Sequence, residues 1–175
     1  MNSHAVFAAI GLGSNLGDRE ANLAFGRAEI ARHGFFPTGE SSIYETDPVG
    51  PVQDQGTFLN QVIIGETELP PLALLAICLH IERERGRKRT LRWGPRTLDL
   101  DLLLYGDTPV NEPGLVVPHP HLKSRGFVLT PLAEIAPEQI LPGDGRTIAE
   151  CLAALSPAPE EGIRRWRSSA TKPQI

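Results

Sequence analysis

Apolar positions come in short runs of two different periods. Residues 5–12 (AVFAAIGL) form a continuous apolar run broken at Gly11 and Gly13, which predicts a buried strand. Residues 18–33 carry Leu23, Ala24, Ile30 and Ala31 at helical spacing, with Asp18 at the N-cap position and Gly34 as the stop. Alternation over 40–46 predicts a strand, and 47–57 reads as a loop. A third strand follows at 58–67. Pro70 and Pro71 then open a helix over 70–85, which Gly86 ends. Residues 98–105 (LDLDLLLY) predict a fourth strand. The chain then reads as irregular to about 121, because prolines stand at 109, 113, 118 and 120. Short helical patterns occupy 124–135 and 147–155. The order is β-α-β-β-α-β with further helices, which predicts an α+β, ferredoxin-like βαββαβ core. Its sheet is mostly antiparallel, with packed helices and additional C-terminal helices. Residues 1–155 are read as one domain, and the polar, Pro-bearing 156–175 as a loosely ordered tail.

Composition narrows the class. The 175 residues include 17 glycines and 16 prolines, too many for a helical bundle. Two cysteines, Cys78 and Cys151, cannot build a disulfide framework. No apolar run is long enough to span a bilayer, and Met1-Asn2-Ser3-His4 does not begin a signal peptide. A reducing, cytoplasmic setting is expected, without nucleic acid or membrane as partner. The net charge of −4 conceals an asymmetry: residues 82–96 alone sum to +5. A concentrated cationic segment on an acidic chain points to a specific anion.

That segment runs straight into Asp99 and Asp101. At strand spacing both carboxylates share one face, while Leu98, Leu100 and Leu102 pack the other. Adjacent like charges disfavour folding unless a cation lies between them, and oxygen-only ligands suit Mg²⁺. Alone, the pair is equally consistent with two solvated aspartates. Arg87, Lys88, Arg89, Arg92 and Arg96 change the balance, because guanidiniums beside a metal-binding pair are the parts of a nucleotide triphosphate site. Trp93 offers a stacking face. The glycine-rich stretch Gly11 to Asp18 superficially resembles a phosphate loop but lacks the Walker Lys-Ser/Thr pair. His119, between Pro118 and Pro120, is held in a rigid loop and reads as a hydrogen-bonding or phosphate-contacting group. Phe58 with Asn60, and Phe127 after Arg125, are candidates for holding a flat polar ring, although both aromatics would also serve as core.

The segment Arg92-Trp93-Gly94-Pro95-Arg96-Thr97-Leu98-Asp99-Leu100-Asp101-Leu102-Leu103 resembles the signature of the 6-hydroxymethyl-7,8-dihydropterin pyrophosphokinases of folate biosynthesis. Further matches are Gly13-Ser14-Asn15-Leu16-Gly17, Tyr44-Glu45-Thr46 with Pro48-Val49-Gly50-Pro51, Phe58-Leu59-Asn60, Val117-Pro118-His119-Pro120 and Arg125-Gly126-Phe127-Val128-Leu129. They run in order from about residue 6 to 155. The resemblance implies pyrophosphoryl transfer from ATP to the pterin hydroxymethyl group, with release of AMP. It implies two Mg²⁺ ions on Asp99 and Asp101, and a catalytic set of Arg87, Arg89, Arg96, Asp99 and Asp101. ATP is expected on Glu82, Arg87, Arg89, Arg92, Arg96, His119 and Arg125. The pterin is expected between Phe58 and Phe127, with Thr46, Pro48, Val49, Asn60 and Trp93 around it. Two departures stand out: the loop from Gly86 to Trp93 is one residue shorter than in some relatives, and residue 58 is Phe where others have Tyr. A monomer is expected. Two other readings fit the residues less well. One is a metal-dependent nucleotidyltransferase on the same scaffold. The other is a ferredoxin-like RNA-binding module, whose sheet surface the two aspartates would spoil.

Overall fold

A computed structural model describes residues 4–52, 54–87, 94–155 and 162–168. At its centre lies β1 (Val6–Ser14), paired antiparallel on one side with β4 (Phe58–Thr67) and on the other with β5 (Asp99–Tyr105). Beyond β4 lie β2 (Phe35–Glu40) and β3 (Tyr44–Thr46), each pairing a different half of that long strand. The sheet is antiparallel throughout, with α1 (Arg19–Arg32) joining β1 to β2 and α2 (Pro71–Glu84) joining β4 to β5. This is the expected βαββαβ ferredoxin-like arrangement.

Strand alternation sorts the core into two layers. Ala8, Ile10, Leu12, Leu100 and Leu102 turn to one face and meet Leu23 and Ile30 of α1 and Leu74, Cys78 and Ile81 of α2. Each buried Leu or Ile contributes about 1.5–3 kcal/mol. Ala9, Val62, Leu103 and Leu104 belong to the second layer, with α3 (Gly126–Ile135) and α4 (Ile148–Ala154). The Asp18 side chain accepts the Ala21 amide at 3.0 Å and caps α1. A reciprocal capping box between Thr147 and Glu150 starts α4. Cys78 and Cys151 are buried free thiols.

The structure departs from the sequence reading in four places. β1 does not stop at Gly11 and Gly13 but continues to Ser14, because both glycines are paired on each side. The strand expected over 40–46 is the shorter β3, and a separate strand, β2, precedes it. β2 tolerates Pro37 because it lies on an edge, and its register shifts between Pro37 and Gly39. The irregular stretch before 121 contains a hairpin, β6 (Val110–Glu112) and β7 (Leu115–Val117), turned at Pro113 and Gly114. Finally, residues 162–168 of the tail carry β8 (Arg164–Arg165), antiparallel to β3. Ion pairs from Arg164 to Glu45 and from Arg165 to Glu134 hold it there. The other residues of 156–175 lie outside those described.

Candidate active site

β5 places Asp99 and Asp101 on the face opposite Leu100 and Leu102, as two-residue alternation requires. Their neighbours across the β1 ladder are Gly13 and Gly11. Without side chains, these glycines leave the sheet open beside the carboxylates. A Cβ at Gly13 would lie 3.3 Å from Asn60 Oδ1 and 3.8 Å from Asp99 Cβ. The glycines therefore form a floor rather than a phosphate loop. Their spacing after a strand hinted at function but not at which one.

Asp99 is gripped by two guanidiniums. Arg87 reaches Oδ1 at 2.5 Å and Arg96 reaches Oδ2 at 2.6 Å. Arg87 arrives there because Gly86, with φ of +85°, turns the chain back after α2. The same Arg87 pairs with the buried Glu82 at 2.6 Å, and Glu82 accepts the Leu100 amide at 2.9 Å. Burial pushes the Asp99 carboxyl up, but the Arg96 and Arg87 charges outweigh it and hold the carboxyl below its ordinary range. Asp101 behaves oppositely. Burial, and then the charge of Asp99, push it up to about 7. Glu82 is also pushed up to about 7, by burial and then by Asp99. A divalent cation would relieve this repulsion, and the all-oxygen donors of Asp99 and Asp101 fit Mg²⁺.

Arg96 is positioned from behind. Its amide donates to Asn15 Oδ1 at 2.7 Å, and its carbonyl accepts the Asn15 amide at 3.0 Å. The Asn15 side chain also donates to Gln55 Oε1 and the Gly56 carbonyl, both at 3.1 Å. One buried asparagine thus ties the loop after β1 to the loop before β4 and to the approach to β5. On the far side, His119 Nδ1 accepts the His121 amide at 3.2 Å, which leaves Nε2–H as a donor. Burial, followed by the Arg125 and His121 charges, lowers the imidazole to about 4, so it is neutral at pH 7.

Two depressions meet at the aspartates. One is lined by Thr46, Val49, Phe58, Asn60 and Phe127, five of the seven residues expected around a flat ring. Asn60 donates to Thr46 Oγ1 at 2.7 Å, and the Arg125 guanidinium lies 5.6 Å from the Phe127 ring centroid. Pro48 does not line it. The other is a groove of about 740 Å³, within the usual range for small-molecule sites, lined by Glu82, Arg87, Arg96, His119 and Arg125. Asp99, Asp101, Arg96 and Arg125 line both. Arg89, Arg92 and Trp93 lie outside the described residues. The sequence reading missed Asp47 and Gln61 in the first depression. It also missed the groove wall that Leu75, Leu79, Leu115 and Val116 build from α2 and the β6–β7 hairpin. Apolar wall residues carry no distinguishing pattern along the chain.

A groove carrying four arginines and an aromatic-lined slot, sharing a carboxylate pair on a ferredoxin-like sheet, suit a phosphate-transferring enzyme. The chain belongs to the 7,8-dihydro-6-hydroxymethylpterin-pyrophosphokinase family, whose model matches residues 9–137. It is 46% identical over 160 residues to the 2-amino-4-hydroxy-6-hydroxymethyldihydropteridine pyrophosphokinase of Methylorubrum extorquens, covering 90% of this chain and 97% of that protein. The protein of the same name from Pseudomonas aeruginosa is 47% identical over 161 residues, covering 89% and 94%. Among solved structures, the fold is shared with the wild-type Plasmodium falciparum HPPK-DHPS bound to pteroate, at a TM-score of 0.72 and 12% identity. That match covers 93% of this chain but 48% of the longer one.

Proposed function

We infer that this chain transfers the pyrophosphoryl group of ATP to the hydroxymethyl oxygen of 6-hydroxymethyl-7,8-dihydropterin, in folate biosynthesis. Family membership carries the reaction. The division of the site rests on one observation: Asp99, Asp101, Arg96 and Arg125 stand on the wall common to both depressions. The groove takes ATP, on Glu82, Arg87, Arg89, Arg92, Arg96, His119 and Arg125. The slot takes the pterin, stacked between Phe58 and Phe127, with Asn60 and the chain around Thr46 to Val49 reading its polar edge. Trp93 is assigned to the pterin as well.

Phosphoryl-type transfer depends mainly on positioning and charge neutralisation. Asp99 and Asp101 would hold Mg²⁺, two ions in this reading, and the bound metal would supply Lewis acidity to the triphosphate. Arg87 and Arg96 exchange their contacts with Asp99 for phosphate oxygens, to which a guanidinium fork is suited. Neutral His119 donates Nε2–H to a phosphate oxygen. The hydroxymethyl oxygen forms its bond to the β-phosphorus and loses its proton to solvent as the bond to the α,β-bridging oxygen breaks, and AMP departs. A cytoplasmic monomer is the form this reading assigns. No helix among the described residues is long and apolar enough to cross a membrane.

The test is a product assay with purified protein, Mg²⁺-ATP and the pterin, with nucleotides separated by chromatography. AMP forming one-for-one with pterin consumed, and only with Mg²⁺, is the expected result. Pyrophosphate release with a nucleotidylated pterin would assign the site to nucleotidyl transfer instead.

A further inference from the structure

Glu45, in the middle of β3, is held from three directions. Arg19 of α1 and the Thr57 hydroxyl donate to Oε1 at 3.0 and 2.7 Å, and Arg164 Nε donates to Oε2 at 2.9 Å. Arg19 also donates to the Thr57 carbonyl at 2.9 Å. These contacts join the two roots of the 47–57 loop, since β3 leads into it and Thr57 leads out. Arg164 extends further, to Asp47 Oδ1 at 3.4 Å and the Gly162 carbonyl at 2.9 Å. Gly162, at φ of +55°, packs against Asp47 so closely that a Cβ there would lie 2.8 Å from the Asp47 Cγ.

The rest of the segment fastens β3 to both helical layers. The Trp166 amide donates to the Ile43 carbonyl at 2.8 Å, its indole donates to Glu20 of α1, and Arg19 lies 5.0 Å from its ring centroid. Arg165 pairs at 3.5 Å with Glu134 of α3, which also accepts the Tyr44 hydroxyl. So residues 162–168 grip the strand that feeds Thr46, Asp47 and Val49 into the slot, and bind it to α3, whose first turn carries Phe127. Among the described residues, Glu45, Asp47, Gly162 and Arg164 take no part in lining the groove.

We propose that residues 162–168 are a positioning strap: Arg164, acting through Glu45 and Asp47, sets the 47–57 loop for the pterin ring and so tunes pterin affinity without touching the nucleotide. The inference rests on the assignment of the slot to the pterin. Arg164 is a positioning residue and touches no substrate.

The experiment uses the full chain and its Arg164→Ala, Arg164→Lys, Gly162→Ala and Phe127→Ala variants. Dissociation constants are measured by calorimetry for the pterin in the presence of a non-hydrolysable ATP analogue, and for the analogue alone. Loss of exposed ion pairs of this kind predicts about a threefold to tenfold rise in pterin Kd and KM for Arg164→Ala, with nucleotide Kd within about twofold. Arg164→Lys recovers part of the loss. Gly162→Ala, which keeps the pairing residues but displaces Asp47, weakens the pterin selectively as well. Unchanged pterin affinity in Arg164→Ala, or equal loss for both ligands, overturns the strap. Phe127→Ala separates the two levels. If it weakens pterin binding while Arg164→Ala does not, the strap alone fails; if neither does, the slot assignment fails with it.

Discussion

Replacing Asp101 by Asn is expected to stabilise the metal-free protein while removing its activity. Asp101 and Asp99 share one face of β5, where burial and then the Asp99 charge push the Asp101 carboxyl from the ordinary 3.8 to about 7. At 1.36 kcal/mol per pH unit, ionising it in the folded, metal-free protein costs about 4 kcal/mol. The sign follows from proton counts. Between about pH 4 and 7 the native state holds a proton there that the unfolded chain has released. Stability attributable to this group is therefore fully present below about pH 4, declines through the window, and is lost above about pH 7. An asparagine of nearly equal volume carries no charge and escapes the decline. In urea unfolding with EDTA at pH 8, Asp101→Asn should exceed wild type by about 2–4 kcal/mol, and the gap should close near pH 4. Turnover with Mg²⁺-ATP should fall at least about a hundredfold, since several kcal/mol of charge stabilisation depend on the metal site. Equal or lower stability of the variant at pH 8 would refute the argument that the paired carboxylates are strained without a cation. A stabilising but inactivating change is what a site built for function at the expense of stability should yield.

Three further outcomes are expected. Phe127→Ala should weaken pterin binding about tenfold, the equivalent of one lost ring stack, in the calorimetric titration described above. His119 should stay neutral down to about pH 5 in an imidazole NMR titration, because burial and the Arg125 charge lower it to about 4. Its depressed value makes it contribute stability that is lost as pH falls from about 6.5 to 4; a midpoint near 6.5 would contradict the buried, cation-flanked placement. Gly65→Ala should destabilise by about 3 kcal/mol in urea unfolding, because its Cβ would collide with the Phe36 carbonyl and stand 2.8 Å from the Phe35 ring. An unchanged midpoint would mean that β2 can move off β4.

Much of the site was legible because it obeys local rules. Asp99 and Asp101 share a face through strand alternation alone, and the alternating Leu98, Leu100 and Leu102 enter the opposite core layer. Asp18 capped α1 as its side-chain chemistry favours. The ring-binding candidates Phe58, Asn60 and Phe127 were marked by residue type, yet their meeting in one slot depends on β4 and α3 lying on the same side of β1. What was misread depended on neighbours. Residues 35–39 were not read as strand, yet β2 accommodates Pro37 there because an edge position needs no donor on one side. The prolines around β6 and β7 masked a hairpin whose Pro113-Gly114 pair is its turn.

The sequence by itself determined the alternation of strands and helices, the face on which the carboxylates stand, and, through its ordered motifs, the family. These are encoded in neighbours one to four residues apart, or in residue identity. Only the tertiary structure decided that Gly11 and Gly13 are a floor beside the aspartates, that Asn15 joins three loops, and that Arg164 reaches Glu45. Those contacts span 40 to 119 residues of chain, and no local pattern specifies them. They exist because antiparallel pairing of β1, β3, β4, β5 and β8 brings distant backbone into register, where burial and charge then select the partners.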